Sequence, residues 1–125
     1  MPKTRLVAYQ DPDGTVPLLD WLDSLPTKAL DKCLVRLERL EDLGHDLRRP
    51  ESDLLRDGIH ELRAKHQTVN YRVLYFFHGR RTAVVTHGFT KQRARVPDRE
   101  IRRALGCKER FERDPVAHTY DWRNA

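Results

Sequence analysis

This chain has few of the features that mark secreted, membrane-bound or metal-built proteins. Only two cysteines occur, Cys33 and Cys107, and their separation fits neither a metal-ligand nor a redox pattern. Both are expected to pack as small apolar side chains in a reducing cytosol. No stretch approaches the ~20 apolar residues of a membrane helix. The opening Met1-Pro2-Lys3-Thr4-Arg5 lacks the apolar segment of a secretory leader. Six histidines are scattered without paired spacing, which argues against a metal site. No repeat or low-complexity tract interrupts the 125 residues, a length suited to one domain with one modest core. These absences predict a cytoplasmic protein with no membrane contact, no metal and no small-molecule cofactor.

Charge is what the chain has in quantity. Charged residues make up 34% and hydrophobic residues 38%, the balance of a globular domain with a heavily charged surface. The net charge of +5 is unevenly spread. Residues 1–57 carry 9 Lys/Arg against 12 Asp/Glu, residues 58–113 carry 14 against 5, and residues 114–125 carry 1 against 2. A middle segment of net +9 is the pattern expected where phosphates are contacted. Arg99, Arg102, Arg103, Lys108 and Arg110 are equally explained as a solvated basic helix face.

The predicted order is strand, helix, helix, three strands, helix, tail. Residues 5–9 form a strand ended by the turn signal Asp11-Pro12-Asp13-Gly14. A short helix spans about Val16 to Leu25, with Pro17 in its first turn. A second runs from Lys28 to Leu43, where Leu30, Cys33, Leu34, Leu37, Leu40 and Leu43 make one apolar stripe. Thr27 is placed to cap it, with Gly44 just beyond its end. Residues 45–57 read as a polar loop. Strands follow at about 58–64, 71–78 and 82–89, with a longer connection from Ala64 to Asn70 and a tight hairpin at His78-Gly79-Arg80-Arg81. Val73 to Phe77 is continuously apolar, as in a central strand covered on both faces. Asp98 can cap a last helix reaching about Arg113. Residues 1–113 thus form the domain, and 114–125 a tail without a clear period.

Three short patterns carry the chemistry: Gly58-Ile59-His60-Glu61-Leu62-Arg63, Tyr71-Arg72-Val73-Leu74-Tyr75, and Phe89-Thr90-Lys91-Gln92 with Pro97 six residues after Lys91. In this order the chain resembles the HigB branch of the RelE/ParE superfamily of bacterial toxins, the phage-derived toxin-like proteins. His60 departs from the family at a position usually aromatic, and Gln92 stands where a second Lys is common. The resemblance implies an α+β fold with a RelE-like antiparallel sheet, packed with amino-terminal helices and a carboxy-terminal helix. It implies a ribosome-dependent messenger RNA endonuclease acting on mRNA in the A site, without metal, and a helix-turn-helix antitoxin as partner. The RNA's 2′-hydroxyl would be the nucleophile, consistent with the lack of a nucleophilic Ser or Cys motif and of a carboxylate pair.

In-line attack by a 2′-oxygen needs a base, cations around the phosphorane and a proton for the leaving 5′-oxygen. Strand alternation puts Glu61 and Arg63 on one side, with Leu62 opposite. Arg63 and Arg72 suit the transition-state role, since guanidinium forks match phosphate oxygens. Lys91 is a further phosphate contact or proton donor, and Glu61 or a nearby histidine is the candidate base. Arg93, Arg95, His87 and Tyr71 are candidate RNA contacts. Glu61 is equally read as an ion-pair partner of Arg72 across the strands, His87 as a packed core histidine, and Tyr71 first of all as a sheet residue. Two other readings stay open: a ParE-like inhibitor of DNA gyrase, and a non-catalytic RNA- or ribosome-binding module whose basic face only positions phosphates.

Overall fold

The computed structural model describes residues 3–91 and 95–121. Strand β1 (Arg5–Tyr9) leads into α1 (Pro17–Asp23) and α2 (Thr27–Leu43). A 3-10 turn at Gly44–Asp46 precedes β2 (Ser52–Arg56), β3 (Ile59–His66), β4 (Val69–His78) and β5 (Thr82–Lys91). Helix α3 (Asp98–Arg113), a single turn α4 (Pro115–His118) and the short β6 (Thr119–Tyr120) complete the described chain. The fold is α+β, built on one six-stranded sheet in the order β2-β3-β4-β5-β1-β6. Among the described residues no helix is long and apolar enough to cross a membrane.

The sheet is mostly antiparallel, but β1 runs parallel to β5, so the expectation of an antiparallel sheet needs that correction. Two helices and three strands separate β1 from β5 in sequence, so no hairpin forces them antiparallel. Sheet alternation creates two cores. Val73 and Tyr75 of β4 point toward α1 and α2 and join Leu18, Leu22, Cys33, Leu37 and Leu40. Leu74 and Phe76 point the other way, against Ile101, Ala104, Cys107 and Phe111 of α3. Both cysteines are buried and unpaired. Gly88 of β5 is needed on the first face, because a Cβ there would collide with the Trp21 indole.

Four local expectations are corrected. Residues 45–57 are not all loop: Ser52–Arg56 pairs with β3 as an edge strand. The turn between them is Asp57-Gly58, with both residues at positive φ, the pairing that matches hairpin twist. The connection from β3 to β4 is a tight Gln67-Thr68 turn, not a long loop, and Gln67 takes the positive φ. The caps also differ. Pro26 and Pro97 occupy the N-cap positions of α2 and α3, and neither Thr27 nor Asp98 caps with its side chain. Asp98 instead pairs with Arg56 and Arg102. The tail residues 119–120 add an edge strand beside β1.

Candidate active site

Three strands bring the site together. Glu61 and Arg63 alternate onto the α3 side of β3, and Arg72 lies opposite Arg63 on β4. Lys91 ends β5 opposite Asn70, on the same side. Glu61 is only 2% exposed, an exposure that a carboxylate tolerates only with partners of opposite charge. Its Oε1 accepts from Arg63 Nε at 2.7 Å. Its Oε2 stands 3.3 Å from Arg72 Nε and 4.0 Å from Lys91 Nζ. One carboxylate therefore has three cations within 4.0 Å of its oxygens.

That density of positive charge alters Lys91. Burial and the Arg72 guanidinium push the Lys91 pKa below its ordinary value, with Glu61 partly opposing them. Burial likewise lowers the Arg72 pKa, while Glu61 pulls it back up. Arg63 is shared between two acids, since its Nη2 donates to Asp53 Oδ2 at 3.2 Å. The same Asp53 oxygen accepts from Arg49 Nη2 at 2.9 Å. The Arg49 hydrogen bond, the largest favourable influence, holds the Asp53 carboxyl below its usual range.

Helix α3 begins at Asp98 and covers the Leu74–Phe76 part of this face. A cleft of about 780 Å³ is lined by Arg49, Arg56, Arg63 and Arg95 together with Glu61 and Asp53. A second, of about 660 Å³, continues from it past Lys91 and Arg99, and both share Arg95, Val96 and Asp98. The result is a groove with a cation-rich wall, suited to a phosphodiester backbone.

The sequence-predicted residues divide. Glu61, Arg63, Arg72 and Lys91 converge, and exposed Arg95 lines the groove. Arg93 lies outside the described residues. Tyr71 is not brought to the groove: it sits on the opposite face, buried, with its ring 6.3 Å from that of Trp21. His87 is on the right face but is sealed beneath α3 at 1% exposure. Its Nε2 is 3.1 Å from Glu100 Oε1, and its Nδ1 is 3.0 Å from Thr86 Oγ1. Burial, reinforced by Arg103, pushes its pKa down to about 4, so it is a neutral packing group at pH 7.

Sequence reasoning missed the residues that hold Arg63 in place. Arg36 of α2 donates from Nε to the Arg63 carbonyl at 2.8 Å and from Nη1 to Glu51 Oε1 at 2.9 Å. The Arg63 N–H donates to the Glu51 carbonyl at 2.8 Å. The only available signal was Arg36 lying off the Leu stripe of α2, and that is common to any helix's polar face. Among the described residues, no group of three or more His, Cys, Asp or Glu is arranged to hold a metal ion.

No curated protein matches this chain. Residues 20–109 match the model of the family described as phage-derived protein Gp49-like (DUF891), a span that includes α2, every strand from β2 to β5, and Glu61, Arg63, Arg72 and Lys91. With well over half of its length inside that match, the chain belongs to the phage-derived Gp49-like family, a family of the RelE/HigB toxin type.

Proposed function

We propose that this protein is the toxin of a type II toxin–antitoxin pair and cuts translated messenger RNA on the ribosome, using the RNA's own 2′-hydroxyl as nucleophile. The observation that carries the reading is the convergence of Arg63, Arg72 and Lys91 on one buried carboxylate beside an open basic groove. In this reading a scissile phosphate enters beside Arg63, and its non-bridging oxygens are held by Arg63 and Arg72. The 2′-oxygen attacks phosphorus while the bond to the 5′-oxygen breaks. The products are a 2′,3′-cyclic phosphate and a 5′-hydroxyl. Negative charge grows on the phosphorane, where fixed guanidinium groups stabilise it most.

Lys91 delivers a proton to the leaving 5′-oxygen, and its lowered pKa makes it a stronger acid for that step. Glu61 serves to position the three cations. Enclosed as it is, it could take the 2′-hydroxyl proton only after one of them moved aside. That proton passes instead to water in the groove as the 2′-oxygen attacks. A shallow basic groove has little means of holding single-stranded RNA in line, so the ribosome supplies that alignment. A helix-turn-helix antitoxin with an acidic surface neutralises the toxin by covering the groove.

The test is a translating extract with a defined message. Wild-type protein should cut within translated codons, and Arg63→Ala should lower the rate on the order of 100- to 1000-fold. An uncut message together with blocked gyrase supercoiling would replace this reading with gyrase inhibition.

A further inference from the structure

The imidazoles of His45 and His60 lie across the edge strand from the Glu61 groove. They end a short stack of rings whose inner member, Tyr75, belongs to the first core. His45 stacks on Phe77 with centroids 3.7 Å apart and planes at 22°. His60 stacks on Tyr75 at 5.0 Å and 15°, and meets Phe77 edge-on at 5.4 Å. Tyr75 is anchored below by a hydrogen bond with Ser52. His45 is exposed, and Leu54 beside it is 58% exposed. One face of the His45 ring is covered by Phe77, so its exposure belongs to the remainder of the ring.

His45, His60, Ser52 and Leu54 line a cleft of about 460 Å³ that also contains Arg48, Arg49 and Asp53. Arg49 and Asp53 line the phosphate groove as well, so the two clefts meet around β2, with a single edge strand between them. We propose that the His45–His60 cleft is a nucleobase subsite, taking a base of the RNA strand whose phosphate lies in the groove. This rests on the RNA reading of the groove.

Three observations favour a base over another occupant. The cleft presents flat, conjugated ring surface, which any nucleobase can stack upon. It carries two exposed guanidinium groups, Arg48 and Arg49, where the adjoining phosphate would pass. It shares Arg49 and Asp53 with the phosphate groove, which lies on the other face of the same edge strand. Burial, then the neighbouring His45, lower the pKa of the half-buried His60, which favours the uncharged ring for stacking. Stacking on ring surface favours purines by their larger area.

The test follows the imidazole Cε1–H signals of the full-length protein by NMR, with adenosine 5′-monophosphate and ribose 5-phosphate as probes. Signals of Lys91 and Arg63 report phosphate entry separately. Adenosine monophosphate should shift the His45 and His60 signals upfield in a saturable way, and ribose 5-phosphate should not. His45→Ala, an exposed replacement, should weaken adenosine monophosphate binding about five- to tenfold while leaving ribose 5-phosphate binding unchanged. Equal effects of the two probes on both histidines, or an unchanged affinity in His45→Ala, would overturn the subsite. Phosphate-induced shifts at Lys91 and Arg63 with silent histidines would overturn it while leaving the groove reading intact. Histidine shifts with silent Lys91 and Arg63 signals would support the subsite and count against the groove.

Discussion

Arg36 of α2 reaches across to β3 and donates from Nε to the backbone carbonyl of Arg63 at 2.8 Å. The helix thereby fixes the strand position from which the Arg63 side chain enters the groove. The Arg36→Met variant keeps most of the aliphatic stem and removes the donor. It should lose about 1.5–3 kcal/mol of stability, the usual worth of a hydrogen bond from a charged group. If Arg36 positions Arg63, cleavage should also fall, chiefly in kcat and with little change in KM. A stability loss in urea unfolding without a change in kcat at matched folded protein would confine Arg36 to a structural role.

Arg72 and Glu61 should be coupled in both stability and activity. With its side chain 11% exposed, Arg72 stands 3.3 Å from a carboxylate that has almost no access to water. Arg72→Ala leaves Glu61 with Arg63 and Lys91 only. It should cost toward the lower end of the roughly 3–5 kcal/mol seen when a buried pair loses one member. Glu61→Gln combined with Arg72→Met should recover much of that stability while cleavage stays lost. A double variant as unstable as the sum of the singles would mean the two side chains act independently.

The sequence made the centre of this fold legible and its edge much less so. The Leu stripe of α2, the apolar run Val73–Phe77 and the alternation of Glu61 and Arg63 each reflect a periodicity that packing then enforces. Strand β2 was hidden because an edge strand needs only one paired side, and Arg48-Arg49-Pro50 just before it reads as loop. Its hairpin signal was present in Asp57-Gly58, while Gln67-Thr68 carries no comparable signal. The juxtaposition of Glu61, Arg63, Arg72 and Lys91 was legible because side-chain alternation and strand order suffice to bring them together. Tyr71 was misplaced because a neighbour of Arg72 necessarily points to the other face. The supports of Arg63 from α2 and Glu51 depend on tertiary approach, which no local pattern encodes.

Asp53 occupies part of the fork that a phosphate would use on Arg63, accepting from Nη2 at 3.2 Å. An arriving anion must compete with it. Asp53→Asn removes that charge, and with it the repulsion of a nearby phosphate. Pyrophosphate binding, followed by calorimetry, should tighten on the order of three- to tenfold. Weaker binding in Asp53→Asn would show that Asp53 mainly keeps Arg63 and Arg49 in place.

His87 predicts an acid-side loss of stability. Its folded pKa of about 4 lies below the unfolded value of about 6.5, so the unfolded chain binds the extra proton first. Its contribution is intact above about pH 6.5 and declines as pH falls toward 4, by on the order of 3 kcal/mol. Below that the contribution levels off, since both states are then protonated. The depressed pKa of His60 adds a term of the same sign. Urea unfolding of His87→Gln should therefore show a shallower fall in stability between pH 7 and 5 than wild type. Parallel pH curves would place the acid sensitivity elsewhere.

The central claim is that the RNA supplies its own nucleophile while Arg63, Arg72 and Lys91 stabilise its attack. The most direct measurement uses a message carrying a single 2′-deoxynucleotide on the 5′ side of a mapped cut, in a translating system. The account predicts that cleavage at that position disappears while neighbouring cuts persist, and that the ordinary message yields 2′,3′-cyclic phosphate and 5′-hydroxyl ends. Cutting at the 2′-deoxy position at an undiminished rate would contradict it.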